Sequence, residues 1–195
     1  MRLLYNIIVL ISAPPVLLYF LLKMLLTGKY RRSFLQKLGL RQSNFLENIG
    51  PGPRLWMHAV SVGEVNAALP IVAELKKIRP DFRVIFSTST ETGQDLARKT
   101  VAGVDAFIYF PLDIPPVVVK MLDLVRPDVF AFVETELWPN FLAACRRLRV
   151  KVVMVNGRIS NRSFNKYRRT GFFWRRILQS VDCAAMITQL DADRT

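Results

Sequence analysis

The sequence predicts an α/β domain on a parallel sheet, preceded by an apolar N-terminal helix. From residue 54 onward, short β-rich apolar runs alternate with longer segments of helical character, the pattern of consecutive βαβ units. The strand runs are apolar at nearly every position, as expected where helices cover both sheet faces. Residues 3–22 carry no charge, and such a run is long enough to cross a hydrocarbon core of roughly 30 Å.

In that first run Asn6 and Ser12 are the most polar residues, and Pro14-Pro15 falls in the middle. The prolines predict a kink or break, although membrane helices tolerate proline when the freed carbonyls find other partners. The run reads as a single-pass anchor, with a kinked or re-entrant interfacial hairpin as the alternative. No small-residue cleavage site follows it, which argues against a removed signal. Lys23, Lys29, Arg31, Arg32, Lys37 and Arg41 follow with no acid among them. This excess places the bulk of the chain in the cytoplasm, with the basic run against anionic headgroups or as a solvated linker. Residues 1–27 are thus read as the anchor and 28–53 as a basic linker or interfacial segment. Alternating Gly and Pro at 50–53 mark the boundary.

Residues 54–195 form the α/β domain. Strands are predicted at 54–59, 83–87, 106–110, 129–133, 150–155 and 183–188. Helices are predicted at 64–78, 92–101, 114–125, 137–148 and about 165–179. Arg79-Pro80 and Arg126-Pro127 are stop signals, and Pro70 should kink the first of these helices or mark a new start. Residues 189–195 read as the first turn of another helix, which predicts a longer protein.

The chain has 51% hydrophobic residues, a mean hydropathy of +0.23, a formal net charge of +13 and a pI near 10.3. That balance favours an anionic partner: nucleic acid, acidic lipid or a phosphorylated substrate. Between residues 137 and 181 there are eleven basic residues and no acid. No Walker A sequence is present, nor GxGxxG after the first strand, so dinucleotide-dependent redox chemistry is poorly supported. Cys145 and Cys183 belong to no CxxC or Cys/His cluster, which argues against structural zinc and fits free, buried thiols. His58, the only histidine, reads as a structural or cleft-lining residue.

Three stretches at predicted strand ends concentrate the chemistry. In an open α/β sheet, ligands bind at the carboxyl ends of strands beside helix N-termini. Trp56-Met57-His58-Ala59-Val60-Ser61-Val62-Gly63-Glu64 ends a strand and begins a helix. Gly63 lets the backbone turn tightly or approach a ligand. Glu64 falls in the first helical turn, where it either stabilises the helix start or accepts a proton from a hydroxyl. Glu134-Thr135-Glu136-Leu137-Trp138-Pro139-Asn140 follows the fourth strand; its glutamates either stabilise the helix start beside Trp138-Pro139 or, for Glu134 at the strand end, face the expected crevice, while Asn140 either binds substrate or caps backbone. In Asn156-Gly157-Arg158-Ile159-Ser160, Arg158 either offers a planar fork for a carboxylate or phosphate, with hydroxyls from Ser160 and Ser163, or is a solvated arginine in a loop. The polar turn at 88–93 carries hydroxyls enough to bind a substrate phosphate but reads first as a helix cap, and Asp191 and Asp193 read as capping. Between Arg162 and Arg176, five aromatics interleave with bases including Arg168 and Arg169. This mixture suits a membrane interface or phosphorylated lipid, a nucleobase-stacking surface, or a helix with buried rings and solvated arginines.

These strand-end stretches resemble the 3-deoxy-D-manno-octulosonic acid (Kdo) transferase family, and the resemblance covers nearly the whole chain. It implies the acceptor-side, Rossmann-like half of a GT-B glycosyltransferase, with a C-terminal nucleotide-binding domain expected beyond this sequence. The implied reaction moves Kdo from CMP-Kdo to lipid IVA at the cytoplasmic face of the bacterial inner membrane, with inversion and without cofactor or metal. By resemblance Glu64 is the general base and Glu134 stabilises the transition state. Ser61, Gly63, Asn140, Arg158, Ser160, Arg168 and Arg169 are expected to bind substrate. The implied partners are the lipid A precursor and the anionic membrane surface, not nucleic acid. A non-catalytic, membrane-anchored lipid-binding module is the alternative.

Overall fold

A computed structural model describes residues 2–28, 31–40, 49–159, 164 and 170–194. Two helices come first, α1 (Arg2–Thr27) and α2 (Arg31–Lys37). The domain then alternates: β1 (Arg54–Ala59), α3 (Val62–Ile78), β2 (Arg83–Thr88), α4 (Glu91–Thr100), β3 (Ala106–Tyr109), α5 (Pro115–Val125), β4 (Val129–Val133), α6 (Pro139–Arg147), β5 (Lys151–Gly157), α7 (Gly171–Leu178), β6 (Cys183–Met186) and α8 (Gln189–Asp193). All strand pairs are parallel, in the order β3-β2-β1-β4-β5-β6. This is the Rossmann-like arrangement, in which strand order reverses between β1 and β4.

Alternation along each strand splits the core into two layers. Leu55, Met57 and Ala59 pack with Val84, Phe86 and Val133 beneath α3 and α4. Trp56 points the other way and joins Phe130, Phe132 and Phe141 beneath α5 and α6. The Trp56 ring meets Phe141 and Phe130 edge-on, with centroids 5.1 and 5.9 Å apart, the geometry aromatic quadrupoles prefer. His58 belongs to this second layer as packing: it stacks on Phe110 at 3.9 Å, and its Nδ1 lies 2.9 Å from the Ser87 hydroxyl oxygen. Burial lowers its pKa from 6.5 to about 3, so the ring is neutral.

Four expectations are corrected: neither proline site breaks its helix, one thiol is exposed, and the last strand is shorter. Pro70 lies inside an uninterrupted α3; the carbonyl it leaves without an N–H partner belongs to exposed Asn66, where water can serve it. Helix α1 likewise runs unbroken through Pro14 and Pro15. Cys145 is buried but Cys183 is exposed, both as free thiols. Strand β6 ends earlier than predicted and pairs irregularly after Ala184.

Helix α1 is bound to the domain. The Tyr5 hydroxyl donates to Asp113 Oδ2 at 2.9 Å, and Asn140 Nδ2 donates to Asn6 Oδ1 at 2.7 Å. An apolar groove of about 340 Å³ lies between α1, α2, the β3–α5 loop and Trp138.

Candidate functional site

The loops after β1 and β4 leave from neighbouring strand ends at the point where the strand order reverses. The first loop becomes the N-terminus of α3, with Ser61 as its N-cap residue and Glu64 in its first turn. Glu64 Oε2 accepts the Val60 backbone N–H at 2.8 Å, and Oε1 accepts the Ser61 hydroxyl at 3.2 Å. The carboxylate is therefore fixed in direction, yet each oxygen retains acceptor capacity. Glu64 is only 7% exposed. Burial, followed by the charges of Glu136 and Glu134, raises its pKa, while the Val60 and Ser61 hydrogen bonds oppose that rise. A carboxylate that is oriented, desolvated and of raised basicity suits proton abstraction. The same Val60 contact also steadies the helix start, so the structural role read from sequence is present too.

Gly63 is not required by the turn. Its φ is outside the left-handed region, and a Cβ there would meet nothing within 4 Å. Its missing side chain instead leaves open space at the first turn of α3. By contrast, a Cβ on Gly157 would come within 2.9 Å of Met154 Sδ, so that glycine serves the packing of β5 on β6.

Across the switch point, Glu134 adopts φ +62° and its N–H donates to the Val155 carbonyl at 2.9 Å. Asn156, at the end of β5, has φ +55°. Two non-glycine residues thus hold the left-handed conformation at adjacent strand ends, a pattern found at functional sites. Glu134 is exposed, whereas Glu136 is part-buried; burial and then the Glu134 charge raise the Glu136 pKa. Reading the sequence by position favoured Glu134 and passed over Glu136. Its signal was the second acid of the Glu-Thr-Glu triplet, which alone does not say which side chain turns inward.

The remaining predicted residues distribute around this centre. The Thr135 hydroxyl donates to the Arg158 carbonyl, tying the β4 and β5 loops together. The Arg158 side chain is exposed. Asp191 holds the same loop from beneath: its Oδ1 accepts the Ile159 N–H at 2.8 Å and its Oδ2 accepts the Thr188 hydroxyl at 2.6 Å. Asn140 is buried at the start of α6, and its amide donates to the Asp113 carbonyl and to Asn6. Thr90 caps α4 by accepting the Gly93 N–H, and its hydroxyl donates to the Val60 carbonyl, so that polar turn buttresses the Glu64 loop. Ser160, Ser163, Arg168 and Arg169 lie outside the described residues. Among the described residues, no three His, Cys, Asp or Glu side chains are grouped to hold a metal.

Residues 31–195 match the family model described as 3-deoxy-D-manno-octulosonic-acid transferase (kdotransferase). A 3-deoxy-D-manno-octulosonic acid transferase of Haemophilus influenzae is 31% identical over 166 residues, covering 85% of this chain and 38% of that protein. Its counterpart in Chlamydia pneumoniae is 31% identical over 159 residues, covering 81% of this chain and 35% of the relative. A bifunctional glycosyltransferase/methyltransferase of Fusobacterium nucleatum is 29% identical over 183 residues, covering 91% and 28%. The chain thus spans little more than a third of the length of the curated Kdo transferases it matches. The match over residues 31–195 shows that the chain belongs to the 3-deoxy-D-manno-octulosonic acid transferase family.

Proposed function

We propose that this chain forms the acceptor-side half of an enzyme that transfers Kdo from CMP-Kdo to lipid IVA. The observation that carries the reading is Glu64: a carboxylate at the switch point, nearly buried, held by Val60 and Ser61, with open space beside Gly63. An acceptor hydroxyl placed there gives its proton to Glu64 as its oxygen bonds to the anomeric carbon of Kdo. The bond from that carbon to the CMP phosphate breaks on the opposite face, which gives inversion, and CMP departs with the electron pair. Positive charge develops on the sugar, as in other glycosyl transfers, and the carboxylate of Glu134 stabilises it. The reading needs neither cofactor nor metal.

Anionic parts of the substrates have basic residues to meet. Arg158 stands at the β5 end of the site. Arg146 and Arg176 border a cleft of about 460 Å³ between α6 and α7, a size typical of ligand sites. Ser160, Arg168 and Arg169 belong to the same reading as lipid-phosphate contacts. The setting is the cytoplasmic face of the inner membrane, where an acylated acceptor is within reach.

Mass spectrometry of lipid IVA after incubation with CMP-Kdo tests the reading. Full-length protein containing this chain should add the mass of Kdo; these residues alone should bind lipid IVA but transfer little. Lipid binding with no transfer by the full-length protein would favour a non-catalytic lipid-binding module.

A further inference from the structure

We propose that Asp191 and Arg194, within and just after α8, are positioning residues that hold Arg158 where its guanidinium grips an oxyanion of the substrate. The inference rests on the transferase reading above, in which Arg158 meets an anionic substrate group.

Helix capping accounts for only part of what Asp191 does. Thr188 is the cap: its hydroxyl oxygen accepts the Asp191 N–H at 3.1 Å, and its hydroxyl donates to Asp191 Oδ2 at 2.6 Å. That leaves Oδ1, which accepts the Ile159 N–H at 2.8 Å, 32 residues back in the chain. Asp191 is buried, and a buried carboxylate is costly unless its oxygens are paired. Half of that pairing is with the loop after β5, not with α8. Arg194 completes the hold. Its Nη1 donates to the Ile159 carbonyl at 2.8 Å, so both backbone groups of Ile159 end on the same short segment. Its guanidinium also lies over the Phe164 ring, 5.2 Å from the centroid, within the range of cation–π attraction.

The neighbouring residues are fixed as well. The Gly157 carbonyl accepts the Ile187 N–H at 2.9 Å, and the Arg158 carbonyl accepts the Thr135 hydroxyl. The Ile159 side chain is buried. Three consecutive residues are thus tied by their backbone to the end of β6, to the loop after β4 and to α8. Of the three, only Arg158 turns its side chain to solvent. Among the described residues its guanidinium has no hydrogen-bond partner. Thr135 stands between Glu134 and Glu136, so the pinned arginine adjoins the acids of the site.

A solvated loop arginine would need no such anchoring. A guanidinium that must meet an oxyanion with its planar fork does, because less freedom is lost on binding when the backbone beneath it is already fixed. The Thr188 hydroxyl and then the Ile159 N–H hold the Asp191 carboxyl below the usual carboxylate range, with the charges of Arg194 and Arg158 adding to this. The carboxylate therefore stays ionised while it holds the loop.

The test compares Asp191→Ala, Arg194→Met and Asp191→Asn in the full-length protein. Amide hydrogen exchange reads the clamp whether or not Kdo is transferred, so its failure and that of the transferase reading are told apart. Exchange over residues 157–159 should quicken in Asp191→Ala, which frees the Ile159 N–H, and less so in Arg194→Met. It should stay near the parent rate in Asp191→Asn, whose amide oxygen still accepts that N–H. Unchanged exchange in both of the first two variants overturns the proposal. Kinetics with CMP-Kdo and lipid IVA read the consequence. Arg158→Ala shows which of the two substrates the guanidinium holds, because the KM of that one should rise. No change in Arg158→Ala would overturn its role in binding, and the proposal with it, even with the clamp intact. Asp191→Ala should raise the same KM about 10-fold, within the cost of a displaced contact, and leave the other KM unchanged; Asp191→Asn should restore it. Arg194→Met, which leaves the Asp191 bonds in place, carries the same test if Asp191→Ala does not fold. In the Arg158→Ala background either change should add little, because residues that act through one another are not additive. Equal losses in both backgrounds would mean that the clamp serves the fold alone, and would overturn the proposal.

Discussion

Glu64 Oε2 accepts the Val60 backbone N–H at 2.8 Å, across the turn that joins β1 to α3. One hydrogen bond therefore closes the helix start and aims the carboxylate at the sheet's switch point. Thr90 braces the same turn through the Val60 carbonyl. The side chain that performs the proposed proton transfer is thus held by backbone rather than by mobile neighbours, the kind of preorganisation catalysis requires.

Glu64 must be ionised to accept a proton, so transfer should rise with pH through its raised pKa. Burial raises that pKa first, with Glu136 and Glu134 adding to it. Glu136→Gln removes a negative neighbour and stabilises the ionised form. The acid limb of the pH–rate profile should then move to lower pH; an unchanged or raised limb would disconnect the two residues.

The same shift has a sign for stability. A carboxyl whose pKa is raised on folding favours the fold below its unfolded pKa, and that contribution is lost as pH rises through the folded value. For Glu64 and Glu136 the loss begins just above the ordinary carboxylate range. Glu136→Gln should therefore be more stable than the parent at neutral pH and lose that advantage near pH 4, as read by thermal melts at both values.

Glu134 holds φ +62°, a conformation costing an L residue roughly 1–2 kcal/mol that glycine escapes. Glu134→Gly should be more stable than Glu134→Ala by about 1 kcal/mol, measured by chemical denaturation. Both should lower transfer, since both remove the carboxylate.

Gly63→Ala meets no atom within 4 Å, and alanine suits a helix better than glycine by about 0.5–1 kcal/mol. The variant should be slightly more stable. Its added methyl enters the open space at the start of α3, one residue before Glu64, so the KM for an acceptor bound there should rise. An unchanged KM would place the acceptor elsewhere.

Asp113 accepts the N–H groups of Asn140 and Phe141 at 3.0 and 2.8 Å, as well as the Tyr5 hydroxyl. Asp113→Ala should cost at least the ~0.5–2 kcal/mol of a lost helix cap and loosen α1. Tyr5→Phe, which removes only the anchor contact, should cost less in a thermal melt.

Much of the fold was legible because the strands are buried on both faces, so runs such as Val129–Val133 stand out without an alternating pattern. The capping role of Thr90 was legible because a hydroxyl before a helix and an acid in its first turn are the ordinary start of a helix, though the same hydroxyls could have met a phosphate. Helix α1 was harder: hydrophobicity marks an apolar helix but not which of its faces meets protein, and only Tyr5 and Asn6 hint at it. At the site, Glu64 was placed by its position after β1. Its coupling to Glu136 was hidden, because the left-handed turn at Glu134 decides which acid of the triplet turns inward. Asn140 looked available from sequence, and only the fold reveals that its amide is engaged with Asp113 and Asn6.

The most direct measurement is transfer by Glu64→Gln in the full-length protein, followed by mass spectrometry of lipid IVA supplied with CMP-Kdo, alongside acceptor affinity and thermal stability. Glutamine's amide oxygen can still accept the Val60 N–H, so folding and lipid affinity should stay near those of the parent. Transfer should fall by about 10²- to 10⁴-fold, the range for loss of a general base. Transfer within a few-fold of the parent, with affinity unchanged, would contradict the assignment and leave Glu64 as a helix-start carboxylate.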